Sequence, residues 1–138
     1  MSFYRIIDHT ADLGIAVTGK NQKNLFKKAA LALTDLLTDT SRLHAEYTET
    51  ISITGLDIGD LLINWLREIL YFWNGKKVFA ADIDISDITD TALTACISLA
   101  VYDPKHHTIN REIKAVTYHQ AEVVEKGGQW SAQVIFDV

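Results

Sequence analysis

The chain has 138 residues, 48% of them hydrophobic, with one proline and one cysteine. That is enough to bury one sizeable core and too little for two ordinary domains, so a single domain over residues 1–138 is expected. Thirteen Lys and Arg against eighteen Asp and Glu leave a net charge of −5, which opposes tight, unaided binding to a phosphate backbone.

Cys96 has no partner for an internal disulfide, and its place in an alternating run makes it a core or sheet residue in a reducing, cytoplasmic setting. Met1-Ser2-Phe3-Tyr4-Arg5 carries no basic leader before an apolar core, and no apolar run reaches bilayer length. Neither secretion nor membrane insertion is therefore expected.

In chain order, the apolar runs Phe3 to Ile7 and Ile15 to Val17 flank Asp8-His9-Thr10-Ala11-Asp12-Leu13-Gly14, which reads as strand, charged turn, strand. Asp8, His9 and Asp12 sit where the backbone leaves one strand and enters the next, an edge that can carry function. Asp also caps turns by bonding its own backbone, and on this stretch alone that reading competes. Asn21 to Asn24 offer N-cap oxygens for a helix that starts at about Asn21 or Asn24 and runs to about Leu37. Leu25, Phe26, Ala29, Ala30, Leu33, Leu36 and Leu37 form its buried face, and Asp39-Thr40-Ser41 is an exit loop.

From Tyr47 to Thr54, Ile51 and Ile53 alternate with Thr and Ser as in a strand with one wet face. Asp57 is a natural N-cap for a second helix, in which Ile58, Leu61, Leu62, Trp65, Leu66, Ile69 and Trp73 make a broad apolar stripe ended by Asn74-Gly75. Leucines and aromatics at this spacing pack a core rather than line a ligand box. Phe79, Ala81, Ile83 and Ile85, and then Leu93, Ala95, Ile97, Leu99 and Val101, predict two strands joined through Asp87 to Thr91. Asp82, Asp84, Asp87 and Asp90 lack the glycine and distal glutamate of a calcium loop and read as a solvated face and a turn. Asp103-Pro104-Lys105-His106-His107 is a polar connection whose adjacent histidines diverge in extended backbone, which works against chelation.

The last segment is a hairpin: Ile113 to Lys126, Gly127-Gly128, then Gln129 to Val138. A two-residue turn pairs Lys126 with Gln129. Counting back then sets Tyr118 opposite Asp137, Thr117 opposite Val138, and His119 against Phe136 on the other face from Asp137. Alternation up to the final residue implies an end held in a sheet, which fixes Asp137 and the α-carboxylate of Val138.

Four blocks in this order, Asp8 to Gly14, Asp60-Leu61-Leu62-Ile63-Asn64-Trp65-Leu66, Glu112 to His119, and Val134-Ile135-Phe136-Asp137-Val138, resemble the archease family across essentially the whole chain. The resemblance implies a protein cofactor rather than an enzyme. It would promote guanylylation of the active-site histidine of an RtcB-type RNA ligase, which joins tRNA halves using GTP and a divalent metal, and would restore spent ligase for further turnovers. It also implies a metal site at Asp12, Asp137 and the carboxylate end of Val138, and a functional lysine at Lys114. His9 and His119 match motif positions and, with Asp8, are candidates around that site, although structural roles for the histidines stand equally open.

Two Asp side chains with a terminal carboxylate form an all-oxygen anionic set, which suits Ca²⁺ or Mg²⁺ better than zinc. The same carboxylates with His9 and His119 also fit a small metal-dependent hydrolase or nuclease. Against that reading stand the acidic balance and the absence of a Ser or Cys nucleophile paired with a base. A binding module without metal, its carboxylates capping turns, is the third reading. The expected architecture is α+β, a mainly antiparallel sheet of about six or seven strands packed on two helices, the second helix being the more buried.

Overall fold

Two junctions of the same design organise the chain. In each, a strand ends at or just before a glycine, an Asn or Asp two residues after that glycine caps a helix, and the backbone of that helix lies against the glycine. Asn21 accepts from the Asn24 N–H and Asp57 from the Asp60 N–H, both at 2.8 Å. A Cβ placed on Gly19 would lie 2.6 Å from the Leu25 nitrogen, and one on Gly55 would lie 2.5 Å from the Leu61 nitrogen. Only glycine lets strand and helix approach this closely.

The computed structural model describes residues 3–8 and 12–138, with Asp8 by its main chain only. The elements run β1 (Tyr4–Asp8), β2 (Asp12–Gly19), α1 (Gln22–Leu37), β3 (Tyr47–Thr54), α2 (Ile58–Lys76), β4 (Val78–Ile88), β5 (Ala92–Val101), β6 (Ala115–Lys126) and β7 (Gln129–Asp137). This is the α+β architecture expected, with seven strands and two helices. The strands divide between two sheets, however, ordered β1-β2-β7-β6 and β3-β5-β4, with every neighbouring pair antiparallel. The helices explain the division. Each touches strands of both sheets, so Ala32 and Ile63, which lie outside the stripes read from the sequence, are also fully buried. A helix covered on two sides needs a wider apolar surface than one covered on a single side.

Trp65 ties the layers together. Its ring is fully buried, and its indole N–H donates to the Phe26 carbonyl of α1 at 2.9 Å. Among the described residues, no helix is long and apolar enough to cross a membrane.

Three boundaries differ from the sequence reading. α2 continues through Asn74-Gly75 to Lys76, and Lys77 takes the left-handed conformation (φ 55°), donating its N–H to the Trp73 carbonyl at 3.0 Å. Gly75 instead makes room for Tyr71, since a Cβ there would lie 2.3 Å from the tyrosine ring. The Lys77 ammonium lies 4.4 Å from the Trp73 ring centroid, a contact that favours the capping conformation. β4 extends to Ile88 because irregularities between Ala80 and Asp82, and between Ile85 and Asp87, absorb its breaks in alternation. The first of these buries Ala80 and leaves Ala81 only half-buried.

The hairpin register is the third. Lys126 does pair with Gln129, but Asp137 pairs with Ala115 rather than Tyr118, and Phe136 with Val116 rather than His119. Between the pairs Thr117–Ile135 and Glu122–Gln133, four residues of β6 face one residue of β7. That bulge is accommodated by Gln120 at φ 52°, whose carbonyl accepts from the Gln133 amide at 3.3 Å.

The glycine junctions give a direct test. Gly55→Ala must displace helix backbone rather than a flexible side chain, and is expected to cost about 1–3 kcal/mol of stability. The measurement is the urea midpoint, with Gly59→Ala as a comparison at a helical glycine where a Cβ would meet only the Asp57 side chain, at 3.4 Å.

Candidate metal centre

β2 and β7 are the inner strands of the four-stranded sheet, and their apolar alternation decides which way their ends face. Leu13, Ile15 and Val17 of β2, and Ala132, Val134 and Phe136 of β7, turn into the core. Asp12 and Asp137 therefore belong to the opposite face, away from the helices. The register pairs Asp12 directly with Asp137. Two residues directly opposite in an antiparallel pair hold their Cβ atoms roughly 4.5–5.5 Å apart on one face, a placement that is unfavourable for like charges left uncompensated.

The neighbouring row on that face is apolar. Ile7 pairs with Gly14 and Gly14 with Ile135, and Ile135 is fully buried although it points away from the main core. Its Cδ1 occupies the space over Gly14, 2.7 Å from where a Cβ would be. Thr117 flanks it and donates its hydroxyl to the Ile135 carbonyl at 3.0 Å. The carboxylates thus stand beside an apolar row, with Asp12 half-buried and Asp137 exposed to solvent.

The remaining candidates fall around this pair. Val138 follows Asp137 directly and is exposed. Lys114 immediately precedes β6; its main-chain N–H donates to the Asp137 carbonyl at 2.7 Å, and its side chain is exposed. Asp8 closes β1, its backbone paired with Leu13. His9 lies outside the described residues. His119 is exposed on the β6 bulge, its N–H directed at the Thr117 hydroxyl at 3.3 Å, and it is not opposite Asp137. Among the described residues, no three His, Cys, Asp or Glu side chains are grouped so as to hold a metal.

Comparisons with known proteins identify the family. The Archease protein family (MTH1598/TM1083) matches residues 4–138. The chain belongs to this family. An archease of Methanosarcina mazei is 32% identical over 139 residues, covering 98% of this chain and 95% of its own length. The archease of Methanothermobacter thermautotrophicus is 32% identical, with both chains covered in full. Among solved structures, protein 1598 of Methanobacterium thermoautotrophicum superposes with a TM-score of 0.83 at 31% identity, covering 100% of each chain. An archease of Thermotoga maritima, described as a possible chaperone, shares the fold with a TM-score of 0.65 at 19% identity, covering 97% of this chain and 96% of that one.

For this archease, the donor chemistry at the strand ends fits a hard divalent ion. The side-chain donors there are carboxylate oxygens, and water or main-chain oxygen can supply the rest of the six to eight ligands that calcium takes. Asp12, Asp137 and the Val138 carboxylate would hold it.

Sequence reasoning missed the cluster that shapes the bulge beside this site. The Tyr118 hydroxyl donates to Asp60 at 2.7 Å, and the Arg67 guanidinium lies 4.8 Å from the Tyr118 ring centroid. Arg67 also donates to the Val116 carbonyl at 3.4 Å. The tyrosine bond and the Leu56 N–H hold the Asp60 carboxyl below the usual carboxylate range, while the same bond raises the Tyr118 hydroxyl above its ordinary value. The contact is therefore complete above the ordinary carboxylate range and lost as pH falls through the Asp60 value. At the alkaline end it is present below the ordinary tyrosine value and lost as pH rises through the shifted one. Tyr118→Phe is expected to raise the Asp60 value toward that of a free carboxylate, as followed by NMR titration of its side-chain carbonyl. An unchanged Asp60 titration would show that the tyrosine is not its main partner.

Proposed function

We propose that this archease activates an RtcB-type RNA ligase, promoting guanylylation of the ligase's active-site histidine and allowing multiple turnovers, without catalysing a reaction itself. The observation that carries the proposal is the in-register pair of Asp12 and Asp137 on one sheet face. Family membership over nearly the whole chain supports the same reading. Like charges placed opposite one another lower stability unless something offsets them, and a divalent cation held by both side chains and the Val138 carboxylate would do so. Such an ion supplies positive charge that attracts and orients phosphoryl oxygens.

In this proposal the protein's residues have separable roles. β2 and β7 fix the spacing of the two carboxylates. The Lys114 N–H bond to the Asp137 carbonyl holds the start of β6 against the site, and leaves the Lys114 ammonium on the surface for a phosphate or an acidic group of the ligase. Asp8, His9 and His119 are the further candidates that the family resemblance offers for this site. The net charge of −5 leaves the RNA to the ligase. The working compartment is the cytoplasm.

Ligase guanylylation with labelled GTP is the test. Addition of this protein should accelerate it, whereas the isolated chain should turn over neither RNA nor nucleotide. Asp12→Ala and Asp137→Ala should each abolish most of the acceleration and weaken calcium affinity by roughly a hundredfold, at or beyond the loss typical of groups that merely orient a ligand. A short extension after Val138, which converts the terminal carboxylate to an amide, should weaken both effects. Hydrolysis of RNA by the purified chain, lost in Asp12→Ala, would replace the activator with a metal-dependent nuclease.

A further inference from the structure

Away from the carboxylate pair, two connections far apart in sequence enclose a cleft of about 490 Å³ between residues 42–46 and 101–107. This lies within the size range of small-molecule sites. Its floor is aromatic. Tyr102 stacks on His107 with ring centroids 6.2 Å apart at 30°, and behind them Trp73 and Phe79 stack at 4.5 Å. Tyr102 meets Trp73 edge-on at 5.2 Å, and His107 meets Phe79 edge-on at 5.8 Å. These contacts hold both floor rings in place before any ligand arrives.

The polar groups of the cleft divide by sign. Its acids are already engaged by the protein. Glu46 accepts the Val101 N–H at 3.0 Å, and Asp103 accepts the Lys105 N–H at 3.0 Å and faces the His106 Nδ1 at 2.8 Å. His107 is likewise occupied: its Nδ1 accepts the Asp103 N–H at 3.0 Å, so the proton sits on Nε2 and points at the Arg42 carbonyl at 3.2 Å. Two nitrogen donors are less engaged. Arg42 spends one guanidinium nitrogen on the His106 carbonyl at 3.2 Å, and His44, also lining the cleft, makes no hydrogen bond among the described residues.

We propose that this cleft binds a small planar aromatic anion, of which a mononucleotide is the type, with its ring against Tyr102, which the buried His107 backs, and its phosphate on Arg42 and His44. A flat ring gains by stacking on an aromatic floor without needing base-specific contacts, and a guanidinium with free N–H groups matches phosphate oxygens. The site is independent of the metal centre and of the ligase reading.

The test is a titration of the whole protein with AMP, adenosine and inorganic phosphate separately, followed by amide NMR. AMP should shift the Val101, Tyr102, His106 and His107 signals saturably, with adenosine and phosphate each binding roughly tenfold more weakly or less, because each keeps only half of the contacts. His44→Ala, which removes a side chain with no structural bond, and Tyr102→Leu should each weaken AMP roughly tenfold. Circular dichroism and the thermal midpoint would establish that both variants are folded. Absence of saturable shifts at millimolar AMP would overturn the proposal. So would phosphate binding as tightly as AMP, or an unchanged affinity in folded His44→Ala.

Discussion

The antiparallel pairing of β2 with β7 is the constraint on which the rest of this structure depends. It joins residues more than a hundred positions apart and makes them the two inner strands of one sheet. The pairing is enforced from the core side, where Leu13, Ile15 and Val17 lie beside Phe136, Val134 and Ala132 and pack under α1. A slip of one residue in either strand would turn that strand's three core side chains out to water and bring its polar set in. The same register that satisfies the core therefore fixes the two carboxylates at the strand ends side by side. Hydrophobic burial supplies the free energy that holds two like charges together, and a charged ligand that bridges them can draw on it.

The chemistry follows from how the two faces of the sheet are divided. The inner face is committed to packing. The outer face is free, and at its end it carries acids, a fully buried isoleucine over a glycine, and the threonine that bonds across to β7. β6 completes this end through the Lys114 N–H, and it can do so only because the bulge after Thr117 lets the strand return to pairing three residues out of step. Tyr118, Asp60 and Arg67 anchor that bulge to α2. The outer surface of the sheet and the helix layer are thereby coupled through side chains close to the carboxylates.

Much of this was legible in the sequence, for identifiable reasons. The two helices, the Asp57 cap, a first-helix start at Asn21 or Asn24 and about six or seven strands announced themselves through periodicity and capping chemistry, which are local. The candidate site residues came from the family resemblance, and of these the strand register brings Asp12 opposite Asp137. Partners and registers were less accessible, because alternation fixes a residue's face but not its neighbour. Gly-Gly correctly located the hairpin turn. The bulge carries no Gly or Pro to mark it, since its left-handed position is filled by Gln120. Gly75 misled in the opposite sense, looking like a helix stop while serving to admit the Tyr71 ring. The division into two sheets depends on helices buried from two sides, and the aromatic cleft depends on two loops meeting; neither is a property of any single stretch.

The central claim is that the ends of β2 and β7 hold one divalent cation between Asp12 and Asp137. Manganese, which favours the same oxygen donors, reports on this directly through paramagnetic broadening of amide signals. At substoichiometric manganese, Leu13, Phe136 and Ala115 should broaden first and selectively, and excess calcium should restore them. Diffuse broadening over the other acidic surfaces, or a pattern unchanged in Asp137→Ala, would contradict the account.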